Sequence, residues 1–477
     1  MTQLSDLFPA GAGKQVSFVA SGTLSNGQAV GLTSDGKVKA MSSQVGTESN
    51  FTSNRAYNTS TTYDSSNNRI VIAFGDQDNS FHGYAVVGTV SGSSISFGTA
   101  VVFNAGLVDG LSITFDSSNN KVVIAYRDGG ASNHGKAIVG TVSGTSISFG
   151  SEVTFEAGTT QAIATTFDTN LNKVVIAYQD SGTIGRSIVG TVSGTSISFG
   201  TKVSFSITNS NNITITFDSD SNKVVIGYRN NGNSGKGTGI VGTVSGTSIS
   251  FGTAAVYSAS SASYQAITFD SSSNKVVAAY LDEGNSSYGT AVVGTVSGTS
   301  ISFGTPVVFE AATTQDKAAT FDSNLNKVII AYQDAGNSSY GTIIAGTVLG
   351  TSISFETPTV FNPSSLSYIS IAFDTTSNKA VTACRDAGAV PQYSGTSVTF
   401  DASGFPNSNF IGITDEAISD TASGNVTIKG GISTNVSSLT PATDYYVQDD
   451  GTISTVSSSV KAGKALSATA INLEYTS

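Results

Sequence analysis

"TFDSSNNKVVIAYRD", from Thr114 to Asp128, joins an aromatic–Asp pair, a short polar turn, an Asn, a basic residue and an apolar run. The phrase occurs seven times, on Asp64, Asp116, Asp168, Asp218, Asp270, Asp322 and Asp374, so five of the six spacings are 52 residues and one is 50. Four residues after each Asp stands Asn68, Asn120, Asn172, Asn222, Asn274, Asn326 or Asn378, followed by Arg69 or by a Lys in the other six copies. A second phrase, "VGTVSGTSISFG", runs from Val139 to Gly150 and returns at Val189, Val241 and Val293, with a near copy from Val87 to Gly98. Each period therefore holds four apolar runs, of the types "AITFD", "KVVIAY", "TAVVGTV" and "SISFG", the last extended by "TPVVF". The D-S-S-x-N and V-S-G-T turns between them are short enough to force antiparallel hairpins.

One four-stranded meander cannot cover its own apolar faces, so units of ~50 residues must pack on their neighbours. The spacing predicts an all-β chain: a seven-bladed β-propeller over 49–404, with four antiparallel strands per blade. A linear solenoid is the rival, but a closed ring removes exposed end faces. The seventh copy stops after "SGTSVTF" at Phe400 without a "SISFG" strand. The segment from Gly36 to Phe51 has the length and polarity to complete it and seal the ring.

Composition agrees with short strands and tight turns: of 477 residues 52 are Gly, only 12% are charged and 38% are hydrophobic. β-Branched and aromatic residues fit a pleated surface, while Gly, Asn, Asp and Ser satisfy turn geometry. A net charge of -11 without a basic run argues against nucleic acid. No basic leader followed by an apolar stretch is visible, nor 18 consecutive apolar residues, so neither Sec export nor membrane insertion is expected.

The seven copies can be compared with one another. The D-S-S-x-N-K and V-S-G-T turns are nearly fixed, whereas the connection after "VVIAY" and the connection between blades differ in every copy. Connections of a meander alternate between its two ends, so both variable sets fall on one face. Tight hairpins can hardly vary, and drift of free loops would give the same confinement. Loops on a rigid scaffold nevertheless commonly carry binding. The variable face concentrates Arg127, Gln179, Arg229, Gln333, Arg385, His82, His134, Tyr264, Tyr288, Tyr340, Tyr368 and Tyr393. Such side chains stack on sugar rings or make planar hydrogen bonds to hydroxyl and carboxylate groups. A carbohydrate or acidic-glycan ligand is the expectation for this face.

Catalytic chemistry is not expected. A hydrolase places its nucleophile or paired carboxylates once, in an asymmetric setting; these aspartates recur in register, as turn-capping residues do. "GDQDNS" and "FDSDSN" lack the full calcium-loop spacing and its distal Glu. The two histidines have no third ligand, and Cys384 stands where other copies place Phe or Tyr, as a buried filler. The sialidase-type Asp box ends in Trp, of which the chain has none. No cofactor and no metal site are assigned.

The ends lie outside the repeat, at 1–48 and 405–477. "GQAVGLTSDGKVKA" (Gly27–Ala40) and "TDYYVQDDGTISTV" (Thr443–Val456) both read as hairpins turning at Asp-Gly, so the two ends are expected to form one small β domain into which the propeller is inserted. The pieces "FIGI" (Phe410–Ile413), "SLTPATDYYVQDDGTIS" (Ser438–Ser454) and "VKAGKALSATAINL" (Val460–Leu473) resemble a module at the C-terminal ends of tailed-bacteriophage virion proteins such as tail fibres, tail spikes and capsid fibres. "ASGTLSNGQAVGLTSDGKVKA" (Ala20–Ala40) is similar to the leading piece of such proteins. The resemblance covers roughly a quarter of the chain. It implies a virion structural protein assembled in the host cytoplasm and oligomeric on the particle: the terminal domain attaches to other capsid or tail proteins, and the propeller faces a host cell-surface glycan or receptor. A capsid-decorating or fibre-collar role without a ligand is the alternative, and a glycosidase the third.

Overall fold

In a computed structural model describing residues 14–474, apart from Ser34, 42–43, 405–408, 449–450 and Ser459, almost every regular element is a β-strand. The described residues form two compact units, 45–402 and a second built from the chain's two ends, within 1–44 and 403–477.

The larger unit is made of the repeats. In the second copy Val108–Asp116, Lys121–Asp128 and His134–Ser143 pair antiparallel in sequence order. The fourth strand comes in two pieces, Ser146–Phe149 and the beginning of Val153–Thr159, both laid along the third. The turn motif explains itself in hydrogen bonds. Asp116, fully buried, accepts the N–H groups of Ser118 at 2.9 Å and Asn119 at 3.0 Å, while Asn120 takes a left-handed φ of 53°. Asn tolerates that conformation better than most residues, and a carboxylate is the acceptor that two turn N–H groups need. All seven copies repeat the arrangement. Replacing Asp116 with Ala, which orphans both donors, is expected to cost about 1–3 kcal/mol in chemical unfolding; a change within error would remove this role.

Successive innermost strands lie side by side round a closed circuit: the strand ending at Asp64 neighbours that ending at Asp116, and so on to the strand ending at Asp374, which returns to the first. The unit has the β-propeller-like, all-β architecture expected. Between modules the packing is aromatic. Phe205, on the outer strand of one module, meets Tyr228 and Phe251 of the next edge-on, with ring centroids 5.2 and 6.0 Å away. Phe51, Phe103, Phe155, Tyr257 and Phe309 repeat the wedge. Val and Ile of the second and third strands fill the space beneath, with Val224, Val225 and Ile226 wholly buried.

Two expectations are corrected. The connection between blades is mostly not a loop: Ser49–Asp64, Val203–Asp218, Ala255–Asp270, Val307–Asp322 and Thr359–Asp374 are single strands of 16 residues running from the rim of one module into the centre of the next. The segment that completes the seventh module is also shorter than Gly36–Phe51. Val45 bridges Phe400, and Ser49–Arg55 pairs with Ser394–Ser397, whereas Val38–Ala40 pairs with Ala29–Leu32 in the terminal unit.

In the terminal unit one sheet mixes both chain ends, in the order Gln15–Val19, Ser423–Ile428, Phe410–Thr414, Ala29–Leu32, Val38–Ala40. A second sheet holds Ile432–Ser433, Ala470–Leu473, Lys461–Ser467, Asp444–Val447 and Ile453–Ser454. The tip of the Thr443–Val456 hairpin, 449–450, lies outside the described residues.

Candidate ligand-binding face

The fixed turns and the variable connections fall at opposite ends of the strands, as the pairing of Asp116 with Lys121 and of Asp128 with His134 shows. At the variable end each innermost strand carries a bulge. Its register slips between Tyr57 and Ser60, Asp109 and Ser112, Gln161 and Ala164, Asn211 and Thr214, Ser263 and Ala266, Gln315 and Ala318, and Ser367 and Ser370. One residue of each bulge is left-handed: Asn58, Gly110, Ala162, Asn212, Tyr264, Asp316 and Tyr368, with φ between 42° and 56°. A bulge re-aims a side chain, and here Asn212, Tyr264, Asp316 and Tyr368, from four successive modules, line one cavity of ≈ 240 Å³. Gly is the unstrained choice at such a position, and only Gly110 uses it.

Around this mouth planar groups are stacked. The Arg385 guanidinium lies 4.8 Å from the centroid of the Tyr368 ring and 5.4 Å from that of Tyr393, and its Nε donates to Ser367 at 2.9 Å. Tyr57 packs edge-on against Tyr368 at 5.0 Å and Phe81 at 5.2 Å. Its phenol is pushed above the usual tyrosine range, first by burial and then by the Tyr368 hydroxyl. Asp316 accepts the Tyr368 N–H at 3.0 Å, and burial raises its carboxyl above the usual carboxylate range. Tyr264 and Tyr393 remain 40% and 38% exposed, which leaves ring face for a ligand.

The other sequence-predicted residues are held more tightly than free loop groups would be. Arg127 is ion-paired with Asp109, which also accepts from Asn58 at 2.6 Å. Arg229 reaches into the next module, 2.5 Å from Ser263 and 3.0 Å from Glu283. Gln179 is 5% exposed and donates to Asn209 at 3.1 Å, and Gln333 donates to the Leu366 carbonyl. These four brace the bulges. His82, His134, Tyr288 and Tyr340 each open a third strand, partly exposed, away from the axial mouth. The loops between second and third strands owe their shape to a second set of acids: Asp76, Asp334 and Asp386 each accept two N–H groups of the following turn. Among the described residues no three His, Cys, Asp or Glu side chains cluster as metal ligands do.

Sequence reasoning missed Tyr57, Asp109, Gln265, Asp316 and Lys317, all on innermost strands near the axis. The signal was present for Lys317: its counterparts are Thr59, Leu111, Ile163, Ile213, Gln265 and Ile369, so a lysine stands once where others are uncharged. On the opposite face the axial space widens to ≈ 580 Å³, lined in every module by the residues around the fixed turn, including Phe115, Phe217 and Phe321.

No family model matches the sequence, and no curated protein does. Among solved structures the chain is similar to the BP39L lectin from Burkholderia pseudomallei, at TM-score 0.55 and 8% identity, covering 73% of this chain and 97% of that one. AofleA from Arthrobotrys oligospora matches at TM-score 0.42 and 10% identity, over 69% and 94% of the two chains. The SapL1 lectin in complex with alpha methyl fucoside matches at 0.40 and 13%, over 64% and 96%. At these identities the likeness to the first of them is one of fold.

Proposed function

We propose that the protein is a non-enzymatic glycan-binding protein whose ring unit is a seven-bladed propeller, and that its ligand face is the one bearing the bulges. The observation that carries this reading is the pair Tyr264 and Tyr368. Both hold a left-handed backbone, at φ 48° and 56°, that costs a non-glycine residue roughly 1–2 kcal/mol. Every bulge holds a left-handed residue, but at these two the bulge carries an aromatic ring at the cavity mouth, the placement a ligand-stacking group needs. Tyr rings stack on sugar faces, and the fixed Arg385 fork offers planar donors to hydroxyl or carboxylate oxygens. The lectin-type fold likeness accords with it.

Tyr264→Gly is expected to keep stability within about 1 kcal/mol, because relieved strain offsets the lost ring contacts. Glycan-array binding should nevertheless fall at least about tenfold, as should that of Arg385→Ala. Unchanged array binding in both variants would move the ligand elsewhere. Release of reducing sugars from a bound polysaccharide would return the glycosidase reading.

The resemblance of the terminal unit to phage virion modules supports placing this face on a virion, with the terminal unit holding it to capsid or tail proteins and the propeller turned to a host glycan. Immunogold labelling of particles together with binding of purified protein to host cells tests this placement. Labelling spread over the capsid lattice without cell binding favours the decorating role instead.

A further inference from the structure

Lys317 is 7% exposed and borders two cavities on the propeller axis, the ≈ 240 Å³ mouth and a deeper one of ≈ 230 Å³. Its Nζ donates to the Thr314 carbonyl at 2.6 Å and sits 5.6 Å from the centroid of the Tyr264 ring. Among the described residues no carboxylate comes within ion-pair distance of it. A buried ammonium with no ion-paired carboxylate is costly, Asp316 acting on it only from beyond that distance, and one that spends a single donor leaves two for something else. Equivalent positions in three other modules are Ile, so the scaffold does not need a lysine here.

We propose that the axial mouth takes the carboxylate of a sugar acid, a uronic or sialic acid residue, with Lys317 as its counter-ion. The proposal rests on the glycan reading of this face and names the ligand class. Charge selects a carboxylate over a phosphate. One ammonium matches one negative charge, whereas a dianion carries a second that Lys317 does not neutralise; burial favours the neutral form of the neighbouring Asp316 carboxyl and so weakens its repulsion of an anion. Tyr264 and Tyr368 flank the opening for the ring, and Asn212 and Gln265 bring amides to the same wall. Burial pushes the Lys317 amine well below the usual lysine range, with Asp316 opposing that shift. The groups facing it are Asp316 and the Thr314 carbonyl on its own strand, Tyr264 and Gln265 from the preceding module and Tyr368 from the following one, with Arg385 acting on Asp316. Because the anion binds the ammonium form, binding takes up a proton, and affinity falls as pH rises through the depressed lysine range.

The test is calorimetry and thermal melting of the full chain with glucuronate, N-acetylneuraminate, glucose and inorganic phosphate, on the native protein and Lys317→Ile. The acids should bind at least tenfold more tightly than glucose and phosphate, and raise the melting temperature. In Lys317→Ile both effects should be lost, while the ligand-free variant melts a few degrees higher because a buried charge has gone. Acids that bind no better than glucose, or as well to Lys317→Ile, overturn the proposal, as does tighter binding of phosphate. If neutral glycans still bind in a Tyr264-dependent way, the glycan reading survives that failure; if no sugar binds at all, both fall.

Discussion

Gly200→Ala is expected to destabilise the ring unit by at least about 3 kcal/mol, the upper end of overpacking costs. A Cβ at Gly200 would lie 1.8 Å from the Thr247 carbonyl oxygen and 2.8 Å from its carbon, which belong to the Ser-Gly-Thr hairpin of the next module. Backbone in a paired hairpin cannot swing aside as a side-chain tip can, so relief requires the two modules to separate. The chain supplies its own control. At the corresponding place in the sixth copy stands Glu356, and the seventh module, whose outer strand is formed by Ser49–Arg55, has no such hairpin to collide with it. Glu356 instead pairs with Lys327. Denaturant unfolding of Gly200→Ala beside Glu356→Ala measures the contrast. A loss under about 1 kcal/mol at Gly200 would mean that the modules pack less closely than this.

Phe205→Ala should cost about 3–5 kcal/mol, the range for a buried aromatic truncated to Ala. Phe205 is 6% exposed and wedged between Tyr228 and Phe251. Phe361, 4% exposed, occupies the same place at the last joint, where its neighbour in the hydrophobic cluster is Cys384 rather than Tyr. Edge-to-face pairs contribute about 0.5–1.5 kcal/mol each beyond burial, so Phe361→Ala is expected to cost about 1–3 kcal/mol less than Phe205→Ala. Equal losses would remove the ring–ring contribution. Cys384 itself is wholly buried, 3.3 Å from the Thr396 hydroxyl, and burial lifts its thiol to about 12. It should therefore resist alkylation in the folded protein, as a filler does.

Much of the fold was legible because turns are local. Asp116 capping its turn and Asn120 in the left-handed region follow from residue type and a spacing of four, and they recur seven times. The closing strand was placed only to within several residues, since polarity and length do not distinguish Val38–Ala40 from Ser49–Arg55; pairing partners do. The blade connections look like loops in the sequence because they differ in every copy, yet an extended strand crossing from rim to centre needs hydrogen-bonding partners more than it needs a fixed sequence.

By itself the sequence determined the module, its two fixed hairpins, the repeat number and the face on which the copies differ, all consequences of interactions within a few residues. Which side chains meet at the axis was decided only by the tertiary structure. Tyr264, Asp316 and Tyr368 stand 52 residues apart and become neighbours when the ring closes. Whether each points into the mouth depends on a one-residue bulge. Because side chains alternate across a strand, a slip of one residue moves a position from one face to the other, and periodicity alone does not carry that phase.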